Sequence, residues 1–273
     1  SLTALLLYLS GKASGIIVGA SALSAGVVME AAASRLMAAD VVRQLKKKEI
    51  TESEKQLSYG EITRFYYPLA LTSILTLAVN PLVTFFLGQS RLPIESLAVL
   101  PVLNSFIFIF RSFGVSYQEA AIALMSDERE KNYRPVRNFA AVIGWSTVIV
   151  LGIIVAFSLS DFWFSGVSGL TSELSILAHV PLYFMMFLPS LEALISFQRS
   201  VLVITRTTRP VTTATAIEVS GIIIGLIICV NYLNLIGVTA AAAALLVGRL
   251  FANLYLFLPF FKVVKKEGFA AAA

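Results

Sequence analysis

The sequence predicts an all-α fold: a polytopic integral membrane helix bundle of about seven helices. Three observations carry that expectation. The 273 residues are 58% hydrophobic, and mean hydropathy is +0.84. Only 14% are charged, against roughly 25% in soluble domains. The apolar residues also fall in long runs near the roughly 20 residues that a helix needs to cross a bilayer. Once seven such runs are placed, no length remains for a sizeable soluble domain.

The elements follow in order. The chain opens on SLTALLLYLSGKASG, a short apolar run without the basic start of a signal peptide, and so resembles a chain cut inside a membrane helix. Apolar runs then fall at residues 14–38, 65–88, 94–125, 138–160, 174–198, 211–233 and 236–260. The first two are separated by a long charged stretch (39–63), periodic enough for an amphipathic surface helix. GQSRLP is a tight turn, SDEREKNYRPVR is basic, and SDFWFSGVSGLTSE has no Lys or Arg and an aromatic cluster suited to an interface. RSVLVITRTTRP is basic, NYLNLIG carries no charge, and the tail from residue 262 is basic again.

This alternation sets orientation, because Lys and Arg in short loops stay on the cytoplasmic side. Sixteen of the 21 basic residues fall on one side, Arg199 counted among them as a loop residue; Lys12 and Arg91 fall on the other; and Arg35, Arg111 and Arg249 lie within or at the ends of spans. The expected result is a multi-pass protein of the plasma (inner) membrane with a cytoplasmic C-terminus. The net charge of +5 reflects those loops and gives no ground for nucleic-acid binding; the expected surroundings are the lipid bilayer.

Prolines punctuate the spans. Pro81 and Pro189 are the hinge candidates, since an interior proline removes a helical hydrogen bond. Asn80, directly before Pro81, offers an amide where the ladder is already broken.

Residues 19–36 (GASALSAGVVMEAAASRL) align without a gap on 237–254 (GVTAAAAALLVGRLFANL), glycine on glycine and small residues on small residues. Small residues let helix backbones approach closely. The two segments lie six spans apart and run in the same direction, the spacing of a parallel repeat in transporters.

On these residues, and on FYYPLALTSI before Asn80-Pro81, GVSYQEAA, and FLP followed by RTTRP, the chain resembles the multidrug/oligosaccharidyl-lipid/polysaccharide flippase superfamily. It is similar to the multidrug and toxin extrusion branch and to the progressive-ankylosis (ANK) branch, whose members are linked to export of anionic metabolites. The resemblance implies two six-helix lobes around a central cavity. Residues 1–38 would then end a first lobe, 39–63 would be a cytoplasmic linker, 64–261 the second six-helix lobe and 262–273 a cytoplasmic tail. The rest of the N-terminal lobe would be a missing partner of this one.

Independently of that resemblance, Glu30, Arg111, Glu119, Glu192, Glu218 and Arg249 fall inside or near the ends of apolar helices. A charge at the centre of a membrane helix costs about 2.5 to 3.5 kcal/mol, so these groups must face the bundle interior, pair, take up protons or reach an interface. Arg111 and Gln118 share one helix face; Glu119 lies roughly 80° away and about 12 Å further along. Arg111 and Glu119 therefore need separate partners from other helices, or water, and Gly114 between them admits a neighbouring backbone. Glu30 and Arg249 lie on the cytoplasmic half of helices rich in small residues, where a mutual salt bridge is one way to satisfy both.

Two explanations compete: interhelical bonding, or a cavity wall at which a carboxylate exchanges H+ or Na+ and an arginine receives an anion. The ion- or substrate-binding candidates are Glu119, Arg111, Asn80, Gln118, Glu192, Glu218, Arg249 and Glu30. The single histidine, His179, and the single cysteine, Cys229, assemble neither a metal site nor a hydrolytic centre, so neither a cofactor nor an enzyme activity is expected. The expected function is a secondary active transporter, an ion-coupled antiporter or exporter such as a multidrug efflux protein, working by alternating access on a small-molecule substrate. The alternative within the superfamily is a flippase for a lipid-linked saccharide or an exporter of anionic metabolites. A structural membrane subunit is the remaining class.

Overall fold

The computed structural model describes residues 15–47, 58–127 and 129–267, and every regular element among them is helical. Seven helical stretches are long and apolar enough to span a bilayer; the chain is an integral, multi-pass membrane protein. It divides into two compact units, residues 1–58 and 59–273.

The first unit contributes one described helix, α1 (Gly15–Lys47). It runs without a break through position 38, because Ala39–Lys47 contains no glycine or proline to stop it. Residues 48–57 of the expected linker lie outside the described residues. Glu30 is exposed on α1.

The second unit holds α2 (Tyr59–Gly88), α3 (Pro93–Asp127), α4 (Arg129–Ala156), α5 (Ser172–Met185), α6 (Leu188–Ile204), α7 (Arg209–Ile227) and α8 (Gly237–Lys266). Two π-helical turns, Phe162–Val167 and Ile228–Tyr232, lie in the α4–α5 and α7–α8 connections. Helix α2 continues unbroken through Pro81. By contrast, the span expected at 174–198 is two helices: α5 ends at Met185, and Pro189 stands in the first turn of α6, where its missing N–H is not needed. Residues 262–266, expected to lie in the tail, extend α8.

The closest packing is α7 on α8 and α3 on α6, with α2 against α7 and α4 against α6. Small residues explain the first contact. A Cβ on Gly248 would lie 2.6 Å from Ile222 Cγ1 and 2.7 Å from the Glu218 carbonyl oxygen. On Gly221 and Gly225 it would meet the Gly248 and Ala244 Cα atoms, each at 3.2 Å. Gly114 does the same for α3 and α6, since its Cβ would lie 3.0 Å from the Ala193 backbone nitrogen.

The core forms three apolar clusters, one of them, Ile195, Leu202, Val211, Ala214, Ala252 and Leu256, where α6, α7 and α8 meet, and the other two toward opposite ends of the unit. Of those two, one gathers Val83, Leu103, Phe106, Phe164, Leu182 and Leu226 toward the α2–α3 turn. There Gly237 N–H donates to the Arg91 carbonyl (3.1 Å), tying this turn to the α7–α8 connection. The other gathers Tyr117, Met125, Tyr133, Phe197 and Phe260 toward the opposite end, which carries the α6–α7 turn. Between the two lies a band of ionised side chains.

Candidate functional site

The band is centred on Glu192 of α6, a residue only 6% exposed. Because Gly114 lets α6 approach α3, Arg111, one turn earlier on α3, reaches it. Arg111 Nη2 and Nε donate to Glu192 Oε2 at 2.6 and 3.0 Å. From α8, Arg249 Nη2 lies 3.3 Å from the same oxygen, and Arg249 Nη1 donates to Oε1 at 3.4 Å. Arg249 Nη2 also lies 3.0 Å from Glu218 Oε1 of α7, a contact that follows from the Gly248 close approach. Within its own unit, the carboxylates that Arg249 meets are Glu192 and Glu218.

A fifth member, Arg199, completes the band. Its Nη2 donates to Thr215 Oγ1 at 3.2 Å and lies 4.0 Å from Glu218 Oε2. Its buried Nε has no hydrogen-bond partner. Arg199 was counted as a loop residue in the sequence, and this is corrected: α6 runs on to Ile204 and carries Arg199 inside the span. The missed signal was spacing, because seven residues separate Glu192 from Arg199 and place both on one helix face.

Three guanidiniums thus meet two carboxylates. Pairing carries most of the desolvation cost of Glu192, which is shared by two arginines. Arg199 is the least satisfied member, with one short bond and one distant carboxylate.

Two cavities border the band. The first, about 590 Å³, extends toward the α2–α3 turn and is lined by Asn80, Thr84, Pro101, Asn104, Ser105 and Phe108 besides the charged residues. The second, about 300 Å³, extends toward the α6–α7 turn and is lined by Val115, Gln118, Glu119, Ser196, Arg199 and Thr215 with Glu192. Both are bounded by Thr76, Val79, Arg111, Glu218 and Arg249. The charged residues therefore lie where the two cavities adjoin.

The structure brings Arg111, Glu192, Glu218 and Arg249 into direct contact and sets Gln118 and Glu119 on the second cavity's wall and Asn80 on the first. Glu119 is exposed and makes no ion pair among the described residues. Pro81 lies beside Asn80 inside α2, and Pro189 lies three residues before Glu192, at the α5–α6 break that fixes where α6 begins. His179 Nε2 and Asp161 Oδ1 are 2.6 Å apart at the unit's other end. No cluster of three or more His, Cys, Asp or Glu side chains suited to a metal occurs among the described residues.

No family model, no curated protein and no solved structure matches this chain.

Proposed function

We propose that the protein is a secondary active transporter of the multidrug/oligosaccharidyl-lipid/polysaccharide flippase superfamily, working by alternating access between two helical lobes. It would sit in the plasma (inner) membrane with its C-terminus cytoplasmic, and the lobe upstream would complete the pathway. One observation carries the proposal: the Arg111–Glu192–Arg249–Glu218 network sits where two cavities from opposite halves of one unit meet. Space adjoining the ion pairs on two sides supports a role beyond interhelical bonding.

Charge arithmetic supplies a coupling step. With Glu119 ionised, the second cavity is bordered by Arg111, Arg199 and Arg249 and by Glu119, Glu192 and Glu218, and is neutral. A proton or sodium ion on Glu119 leaves a charge of +1 there. One uncompensated charge beside three arginines biases which ligands enter and which lobe arrangement is favoured. The full-length protein in proteoliposomes tests this: Glu119→Gln should abolish ion-driven flux and leave folding intact, and full flux in that variant would reject the coupling role.

Arg199 favours a second reading of the cargo, as an anionic metabolite or a lipid-linked saccharide with an anionic link. Its unpartnered Nε and its distant carboxylate leave a guanidinium with bonding capacity beside a cavity. In that case the arginines matter more than Glu119: Arg199→Gln removes transport while Glu119→Gln retains it.

A further inference from the structure

A third cavity, about 570 Å³, lies on a different face, between α4, α6 and α8. Its walls are apolar and aromatic, with Trp145, Phe197, Phe257 and Phe261 among them, and one charged residue, Arg137, belongs to its lining. Arg137 is exposed and makes no ion pair among the described residues.

The groove's dimensions identify an occupant. On α4 it runs from Arg137 to Val148, eleven residues or about 16 Å of helix rise. That is close to half of the roughly 30 Å hydrocarbon core, the depth of one leaflet. The wall formed by Phe187 and the following α6 residues to Gln198 spans the same eleven residues. Arg137 thus stands at one end of a trough one acyl chain long. That end carries the basic residues Arg129, Arg134, Lys262, Lys265 and Lys266; of these Arg129 faces Glu267 at 3.9 Å. The α4 surface beside the groove is exposed and apolar at Phe139, Val142 and Ile149, as a lipid-facing surface requires.

We propose that this groove is a binding site for an anionic glycerophospholipid of the leaflet on the basic side, with one acyl chain along α4, α6 and α8 and its phosphate at Arg137. Depth supplies the chain's fit and charge the selectivity: basic pockets between membrane helices on the cytoplasmic side favour anionic head groups. This site is separate from the ion-pair band, and the proposal stands whether or not the protein transports anything.

The test uses the full-length protein in nanodiscs carrying a trace of phosphatidylglycerol or phosphatidylcholine with a photoactivatable group on the acyl chain, read by peptide mapping. The expected result is labelling of peptides containing Trp145 and Phe257, with phosphatidylglycerol preferred on the order of fivefold, the ratio that about 1 kcal/mol per basic residue gives. Arg137→Gln should weaken the preference for phosphatidylglycerol while labelling persists. Ala141→Trp, which fills the groove from its exposed side, should remove labelling there and leave labelling elsewhere unchanged. Equal labelling by both lipids in the unaltered protein would overturn the proposal. So would indifference to Ala141→Trp, or recovery of a protein crosslink through this face in place of lipid.

Discussion

The backbone carbonyl oxygen of Glu218 lies 2.7 Å from the point where a side chain on Gly248 would begin. That contact places the next residue, Arg249, within 3.0 Å of the Glu218 carboxylate. Packing of the smallest residue and pairing of a buried charge are thus one feature of the α7–α8 interface.

Gly248→Ala should therefore act on both. The added methyl has no space against Ile222 or the α7 backbone, so the helices must separate, at a cost of about 1 to 3 kcal/mol typical of overpacking. Thermal unfolding in detergent should show the loss. Gly26→Ala, at a helical glycine with nothing within 4 Å of the added atom, should cost nothing and gain up to about 1 kcal/mol of helix propensity.

Glu192→Gln should be the most damaging substitution in the band. It keeps the shape but leaves Arg111 and Arg249 buried against a neutral amide, and breaking a buried ion pair on one side costs about 3 to 5 kcal/mol. Adding Arg249→Gln to Glu192→Gln should cost less than the sum of the two single changes, because the second change removes a charge that the first left unpaired. Equal, additive losses in denaturation measurements would mean that the ion pairs do not interact as described.

Arg199→Gln should separate structure from function. The residue has one short hydrogen bond and an orphaned Nε, so stability should change by no more than about 1 kcal/mol. Binding of an anionic cargo, followed by isothermal calorimetry, should nevertheless be lost. A large destabilisation would show instead that Arg199 is a structural partner of Glu218.

The contrast between Glu192 and Arg199 also shows how much the sequence disclosed. Span number was legible because apolar runs of bilayer length admit few alternatives. Arg111 was legible as a residue in need of a partner, since nothing on its own helix could reach it. That the partner is Glu192, 81 residues away, depends on Gly114 letting α6 approach α3, and a single sequence does not show which helices meet. Arg199 is not legible as a member of the band, because a basic residue near a span's end already satisfies the orientation rule. The α5–α6 break at Pro189 was anticipated as a kink; the sequence alone does not distinguish a bent helix from an interrupted one. Glu119 and Gln118 were singled out for their place in an apolar run, and both line the second cavity.

Single cysteines at Asn104 and Gln118, with Cys229 replaced by serine, test most directly whether the ion-pair band divides one pathway. Asn104 lines only the first cavity and Gln118 only the second. In sealed vesicles, a membrane-impermeant thiol reagent added outside should modify one of the two cysteines, and the same reagent loaded inside should modify the other. Modification of both from the same side, or of neither from any side, would contradict a partition between two oppositely opening cavities.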